Sequence, residues 1–477
     1  MTENVRRIEA AKGCSRHPQS HWSMEQIVCH PSLQVTLLAL TVCLLTVGLA
    51  RADYQAGVEA YEREDYETAL KEWLPLAEAG DSKAQFRLGE MYLKGEGVPQ
   101  DYAVAIEWYR KAVERGSALA GLRLGIMYAQ GEGVPQDHEE AVKWFRKTAE
   151  RGHFMAQFLL ASMYSRKGSD IGPDYEEAAQ WYRKAAEQGH AESQFRLARM
   201  YSRGEGVIQS DKEALKWYRT AAEQGNADAQ FQLGGMYGRG DGVLRNYRAA
   251  AEWYRRAAEV GHIEAQFRLA GMHERGEGVV HDNEKIRKWH RRAAEGGHTL
   301  AQLRLGAIYY VGEGVPRDNE EAIKWFLKAA EAGNIGAQNN LGTMYLTGAS
   351  VPQDYAEAIK WFRKAAGQGD AIAQFNLGGM YQHGKGVPQG YDEALRWFRK
   401  AAEQDHVIAQ VQLGVMYEQG WGVVQNYVMA HMWYHLAGLL GMEAAHEERD
   451  RIAKEMTPAQ IAEAQRRARE WKPKKTD

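Results

Sequence analysis

Ten tryptophans divide most of this chain into equal lengths. Trp108, Trp144, Trp181, Trp217, Trp253, Trp289, Trp325, Trp361, Trp397 and Trp433 stand 36 residues apart, with one gap of 37 before Trp181. A fixed period of this size marks an array of small units, each burying its apolar face on its neighbours. A chain of 477 residues would otherwise be expected to split into several globular domains. The period replaces that expectation with one core that lengthens unit by unit.

The segment Ala84 to Gly116 serves for all the units. Ala84, Leu88, Met91 and Tyr92 fall at i, i+4, i+7 and i+8, the apolar stripe of a first helix. Gly95 stops that helix, Glu96 to Gln100 form a loop, and a second helix runs from about Tyr102 to Arg115. Seven residues before each tryptophan stand Asp101, Asp137, Asp174, Ser210, Asn246, Asp282, Asp318, Asp354, Gly390 and Asn426, all of them preferred N-cap residues. Glu140, Glu177, Glu213, Glu321, Glu357 and Glu393 follow three residues later and place acid at the positive end of the helix dipole. A leucine column runs from Leu88 to Leu413, and the residue after each leucine is Gly or Ala. That small residue is expected to let another helix backbone approach. The tryptophans are expected to be buried, so that a tryptophan-to-alanine change in a central unit costs about 3–5 kcal/mol.

The net charge of −3 does not mark a nucleic-acid binder, and no nucleic-acid partner is expected. Cys14, Cys29 and Cys43 are the only cysteines, so the array can hold neither a disulfide nor a cysteine zinc site. From Val35 to Ala50 run 16 uncharged residues, followed by Ala50-Arg51-Ala52. An apolar run of this length ending in small residues reads as a secretory signal peptide over 1–52, cleaved after Ala52. It is short for a spanning helix, which needs about 20 residues, and a membrane contact is expected only if it stays uncleaved. Met24 is an alternative start. Cleavage removes five basic and three acidic residues and moves the charge from −3 to −5.

The repeated pattern AQxxLGxMYxxGxGVPQDYxxAxxWxxKAAEQG resembles the Sel1-like repeat, a relative of the tetratricopeptide repeat. Ala373 to Asp405 and Ala337 to Gly369 carry it closely. The expected layout is a divergent first repeat over 53–83, ten repeats over 84–441, capping helices over 442–471 and a polar tail over 472–477. In the closing stretch Thr457 is an N-cap, Pro458 suits N1 and Gln460 completes a capping box. The resemblance implies an all-α, right-handed α/α superhelical solenoid of about eleven helix-turn-helix units. It also implies work by protein–protein interaction, as in exported bacterial members that bind host proteins or act in envelope signalling. Periplasm, cell surface or secretion is therefore the expected location. Two alternatives are a hydrolase of the cysteine-rich, β-lactam-linked branch and a membrane-tethered envelope regulator.

Sharper chemistry does not emerge. The Gly-x-Gly loops, such as Gly95/Gly97 and Gly204/Gly206, lack the phosphate-binding context and read as turns. His431 and His435 sit at i, i+4, but no third metal ligand is evident. His153, His190, His262, His298 and His406 share a turn or cap position. No catalytic residue, cofactor or metal is expected. The candidate partner-binding residues lie on the first helices, at positions −4, −1 and +3 from the Met91 column. There the first seven units supply Arg87, Lys94, Arg123, Arg166, Arg196, Arg199, Arg203, Arg239, Arg268, Arg275 and Arg304 against the single acid Glu90, and the last three units supply no Lys or Arg. Spacing of i, i+3, i+7 sets each triplet on one side of its helix. The expectation is a basic ridge that steers and holds an acidic protein partner. Trp421, between Gly420 and Gly422, is a further candidate, either as an exposed contact or folded onto the C-terminal cap.

Overall fold

The computed structural model describes residues 54–166, 170–348 and 351–473. The expected signal peptide at 1–52 lies outside them, as does most of the polar tail. Among the described residues every regular element is an α-helix, and none is long and apolar enough to cross a membrane. The fold is an all-α solenoid. The described residues form two compact units, divided between His190 and Ala191.

In the first unit, α1 (54–62) and α2 (Tyr66–Glu78) precede three helix pairs: α3 (Ser82–Lys94) with α4 (Tyr102–Glu114), α5 (Ala118–Gln130) with α6 (His138–Ala149), and α7 (Phe154–Ser165) with α8 (Tyr175–Glu187). The second unit holds seven pairs: α9 (Ala191–Arg203) with α10 (Asp211–Glu223), α11 (Ala227–Arg239) with α12 (Tyr247–Glu259), α13 (Ile263–Arg275) with α14 (Asn283–Glu295), α15 (Thr299–Val311) with α16 (Asn319–Glu331), α17 (Ile335–Thr347) with α18 (Tyr355–Gly367), α19 (Ala371–His383) with α20 (Tyr391–Ala402), and α21 (Val407–Gln419) with α22 (Tyr427–Leu439). It closes with α23 (Glu443–Ala453) and α24 (Pro458–Glu470), both packed on α22.

Local chemistry sets the boundaries. The N-cap side chain accepts a backbone N–H at nine of the ten second helices; Gly390 has no side chain to do so. The histidine column also caps: His262, His298 and His406 accept through Nδ1 from Ala265, Ala301 and Ala409. Thr457 and Gln460 form the reciprocal capping box of α24. The glutamates expected in the first turns turn elsewhere in two repeats: Glu177 and Glu321 accept from the indole N–H of Trp181 and Trp325, at 3.2 and 2.9 Å. Gly95 stops α3 at φ +76°, and a Cβ on Gly97 would come within 2.6 Å of Tyr66. The Gly-x-Gly loop is thus a helix stop followed by a close approach to the preceding unit.

The core departs from the sequence reading in one respect. The most deeply buried ring follows the tryptophan: Tyr109, Phe326, Phe362, Phe398 and Tyr434 are at most 1% exposed. Trp181, Trp289, Trp325, Trp361 and Trp433 are buried, whereas Trp108, Trp144, Trp217, Trp253 and Trp397 are only partly so. At eight of the ten tryptophans a lysine or arginine one turn later covers the indole face, from Lys184 at 3.8 Å to Lys147 at 5.4 Å; Trp217 has Lys216 instead, at 5.0 Å. Where the residue after the leucine is glycine, it seats the deep ring and not a helix backbone. A Cβ on Gly125, Gly342 or Gly414 would meet Phe145, Phe362 or Tyr434 at 2.4, 2.6 and 2.5 Å.

Successive pairs are joined by polar side chains as well. Buried Gln85, Gln157, Gln230, Gln266, Gln302, Gln338, Gln374 and Gln410 each donate from Nε2 to a carbonyl at the end of the preceding helix. Gln157, Gln194, Gln338 and Gln374 also accept at Oε1 from a glutamine 30 or 31 residues on. Where position +30 holds another residue type, as at Val260, Gly296 and Ala332, the Oε1 of Gln230, Gln266 and Gln302 has no hydrogen-bond partner.

Candidate functional site

The arginines of the predicted ridge do project from the first helices, but they do not stand alone. In the first unit, Arg87 lies over the rings of Tyr61 and Trp73, at 5.9 and 5.8 Å. Arg123 reaches Glu90 at 3.5 Å and Glu132 at 3.6 Å. In the second unit, Arg196 pairs with Glu192, Arg203 with Glu205, Arg239 with Asp241, Arg268 with Glu264, Arg275 with Glu277, and Arg304 with Glu274 and Glu313. Arg199 has no ion pair among the described residues, and its buried Nε has no hydrogen-bond partner. Carboxylates from the helix starts and the Gly-x-Gly loops therefore accompany the guanidinium groups. Such exposed pairs contribute little stability, about 0–1 kcal/mol each.

Four of these arginines meet around two adjoining depressions in the second unit. The larger, about 490 Å³, lies over α13 and α15, with Arg268, Arg275 and Arg304 at its sides, Phe267, Leu300 and Leu303 as apolar lining, and Asn340 of α17 at one end. The smaller, about 290 Å³, lies over α11 and is edged by Arg239, Arg268 and Arg275. Gly235, Gly271 and Ala307 occupy the −1 column, so no long side chain rises there.

One unit departs from the array's pattern to shape the larger depression. His290 stands where other units carry tyrosine or phenylalanine, and it is 1% exposed. Its Nε2 lies 2.9 Å from Glu274, and its buried Nδ1 has no hydrogen-bond partner. Arg304 donates from Nε to the same carboxylate oxygen at 2.8 Å. Burial alone would raise the pKa of Glu274, but the hydrogen bonds from His290 and Arg304 hold it down at about 2. This charged group is structurally committed, and the arginines around it form the open part of the site.

Trp421 is 37% exposed and stacks on Tyr391, with ring centroids 5.4 Å apart. It does not fold onto the C-terminal cap; Trp471 does that, edge-on to Trp433 at 4.8 Å. Tyr391 begins α20 in the preceding repeat, so Trp421 secures a loop to its neighbour. The rings of His431 and His435 lie 6.4 Å apart, and Arg449 reaches His435 and His446. Among the described residues no three potential ligands gather around a metal position.

Ten consecutive segments, from 82–117 to 407–442, match the Sel1 repeat. The chain belongs to the Sel1 repeat family. Its structure is similar to that of a protective antigen present in uropathogenic Escherichia coli strains that displays an SLR fold, with 37% identity, a TM-score of 0.58, and 84% of this chain and 94% of that one covered. It is also similar to a Sel1 repeat protein from Oxalobacter formigenes, with 32% identity, a TM-score of 0.53, and 65% of this chain and 89% of that one covered. No curated protein matches the chain. Sel1 repeat scaffolds are typically devoted to protein–protein interaction, and the surface of the paired helices is where a partner can be met.

Residue counting found four arginines of the trough and placed Asn340 on the same face, but missed Phe267, Leu300, Leu303, Glu274 and His290. The signals were available: a histidine in an aromatic column, and glycines in a column that elsewhere carries Glu90, Ile126 or Arg199.

Proposed function

We propose that this Sel1 repeat protein is an exported, non-catalytic scaffold that holds a protein partner on the second unit. The trough of α11, α13 and α15 carries the proposal, because it combines an apolar floor with guanidinium walls and contains no nucleophile–base pair. Export rests on the 16 uncharged residues before Ala50-Arg51-Ala52. The similarity to a protective antigen agrees with it, since such an antigen is one the immune system meets. Periplasm or cell surface follows as the working location, with bacterial envelope or host proteins as the partner class.

The full chain, expressed from its own start, provides the test. Amino-terminal sequencing of the released product is expected to begin at Asp53, and a product retaining Met1 or Met24 would remove free export. The immobilised product is expected to capture a defined protein saturably from envelope extract or host secretions. Absence of saturable capture would sink the scaffold reading.

A further inference from the structure

Glycine inside a helix costs about 1 kcal/mol relative to alanine, so each one needs a reason. Gly234 has one: a Cβ there would meet Tyr254 at 2.8 Å. Gly235 and Gly271 have none in the packing. A Cβ on either would first meet the tip of a flexible arginine, Arg239 at 3.0 Å or Arg275 at 3.1 Å, and neither glycine has positive φ. Both lie in the interior of their helices, α11 and α13, along the floor of the trough. Their lack of side chains leaves room above the helix that only the flexible end of an arginine enters.

The chemistry around that room is specific. The two depressions adjoin across Arg268 and Arg275. Their combined walls present Arg239, Arg268, Arg275 and Arg304 against Glu274 and Glu277. Arg268 gives only its Nε–H to Glu264, and Arg275 meets Glu277 through Nη2, so each guanidinium retains donors for a further carboxylate. Phe267, Leu300 and Leu303 supply an apolar lining, with Leu300 itself 51% exposed. At roughly 10 Å for each step between first helices, the stretch from α11 to α17 is about 30 Å, or about nine residues of extended chain.

We infer that the trough takes an extended peptide segment of the partner in which apolar side chains alternate with Asp or Glu. The peptide backbone passes over Gly235 and Gly271, apolar side chains enter between Phe267 and Leu303, and carboxylates meet Arg268 and Arg275. This inference rests on the scaffold reading and narrows it to a partner chemistry.

The probe is an array of blocked nonapeptides in four compositions: acidic–apolar, basic–apolar, acidic–polar and apolar–polar. It is presented to the exported product of the full chain. The acidic–apolar class is expected to bind at least about tenfold better than the other three, with affinity falling as salt rises. Gly271→Leu is expected to weaken that binding about tenfold while leaving the melting temperature unchanged or higher. If leucine unfolds the chain, Gly271→Ala serves instead, with an expected loss of about threefold. Arg268→Gln with Arg275→Gln is expected to remove the preference for acidic peptides. Equal binding of the four classes, or full binding by the Gly271 variants, overturns the assignment. So does saturable binding of laurate, a free apolar carboxylate, in the absence of peptide binding. Undiminished capture of the protein partner by Gly271→Leu would leave the scaffold standing and remove the trough from its function.

Discussion

At the scale of single residues, one substitution should have opposite signs at two glycines. Gly342→Ala drives a methyl into Phe362 at 2.6 Å and should destabilise the second unit by about 1–3 kcal/mol. Gly235→Ala meets the flexible tip of Arg239 at 3.0 Å and Tyr254 Oη at an ordinary 3.5 Å, and should stabilise by up to about 1 kcal/mol. Urea unfolding followed by circular dichroism would show the pair, and a shared sign would contradict the packing described. The glutamine ladder offers another test. Ala332→Gln places a donor 30 residues after Gln302, whose Oε1 is buried without a partner. It should add about 0.5–1.5 kcal/mol. No gain in the urea midpoint would mean that the vacant acceptor is satisfied by water. These effects were only partly legible beforehand. The leucine–glycine column was plain, but its purpose depends on which of two adjacent aromatic positions points inward. Trp361 and Phe362 repeat at the same period, the tryptophan column without exception and the next with Tyr, Phe or His, and the more regular column is not the deeper one.

Helices were the most legible level, because their ends are set by neighbours in sequence. Asp101, Asn246 and Asp318 cap where their residue types predict, since the bond from side chain to N3 backbone spans only three residues. Among the histidine caps, His406 carries a pH dependence near neutrality. His406 accepts from the Ala409 N–H through Nδ1, which requires the neutral ring. Burial lowers its pKa below the usual 6.5, outweighing the backbone bond and Asp370, which act the other way. A histidine lowered on folding contributes stability fully above its unfolded pKa. That contribution is lost as pH falls from about 6.5 through the folded value. His406→Asn should keep the cap and flatten the decline of melting temperature between about pH 6.5 and 5. An identical decline in the variant would assign the effect to other groups. The ridge was less legible for the opposite reason. Counting one face of the first helices tallied the arginines but left out Glu264 and Glu277, near neighbours in sequence on other columns, while Glu274 and Glu313 reach Arg304 only through folding.

At the scale of the molecule, each compact unit is a sum of short-range agreements, so its ends matter more than its middle. In the second unit α24 and Trp471 cover Trp433. Ending the chain at Lys454 should expose that indole, lower the unit's melting temperature and bring concentration-dependent association, read by light scattering on a sizing column. A truncated chain that remained monodisperse and equally stable would show that the cap is dispensable. The trough escaped sequence reading because it is made largely of omissions: two glycines without a packing role and a histidine in place of a larger ring. The glutamine ladder has a consequence of another kind. Each Gln Nε2 reaches backward to a carbonyl at the end of the preceding repeat, while its Oε1, where bonded, accepts from the second helix of its own repeat. A module with this glutamine is therefore a plug at one face, through Nε2, and a socket at the other, through the carbonyl at the end of its second helix. A duplicated stretch of residues 371–406, spliced in after 406, would find both its seams already matched, so that such a gene can lengthen its product by simple recombination without inventing a new joint.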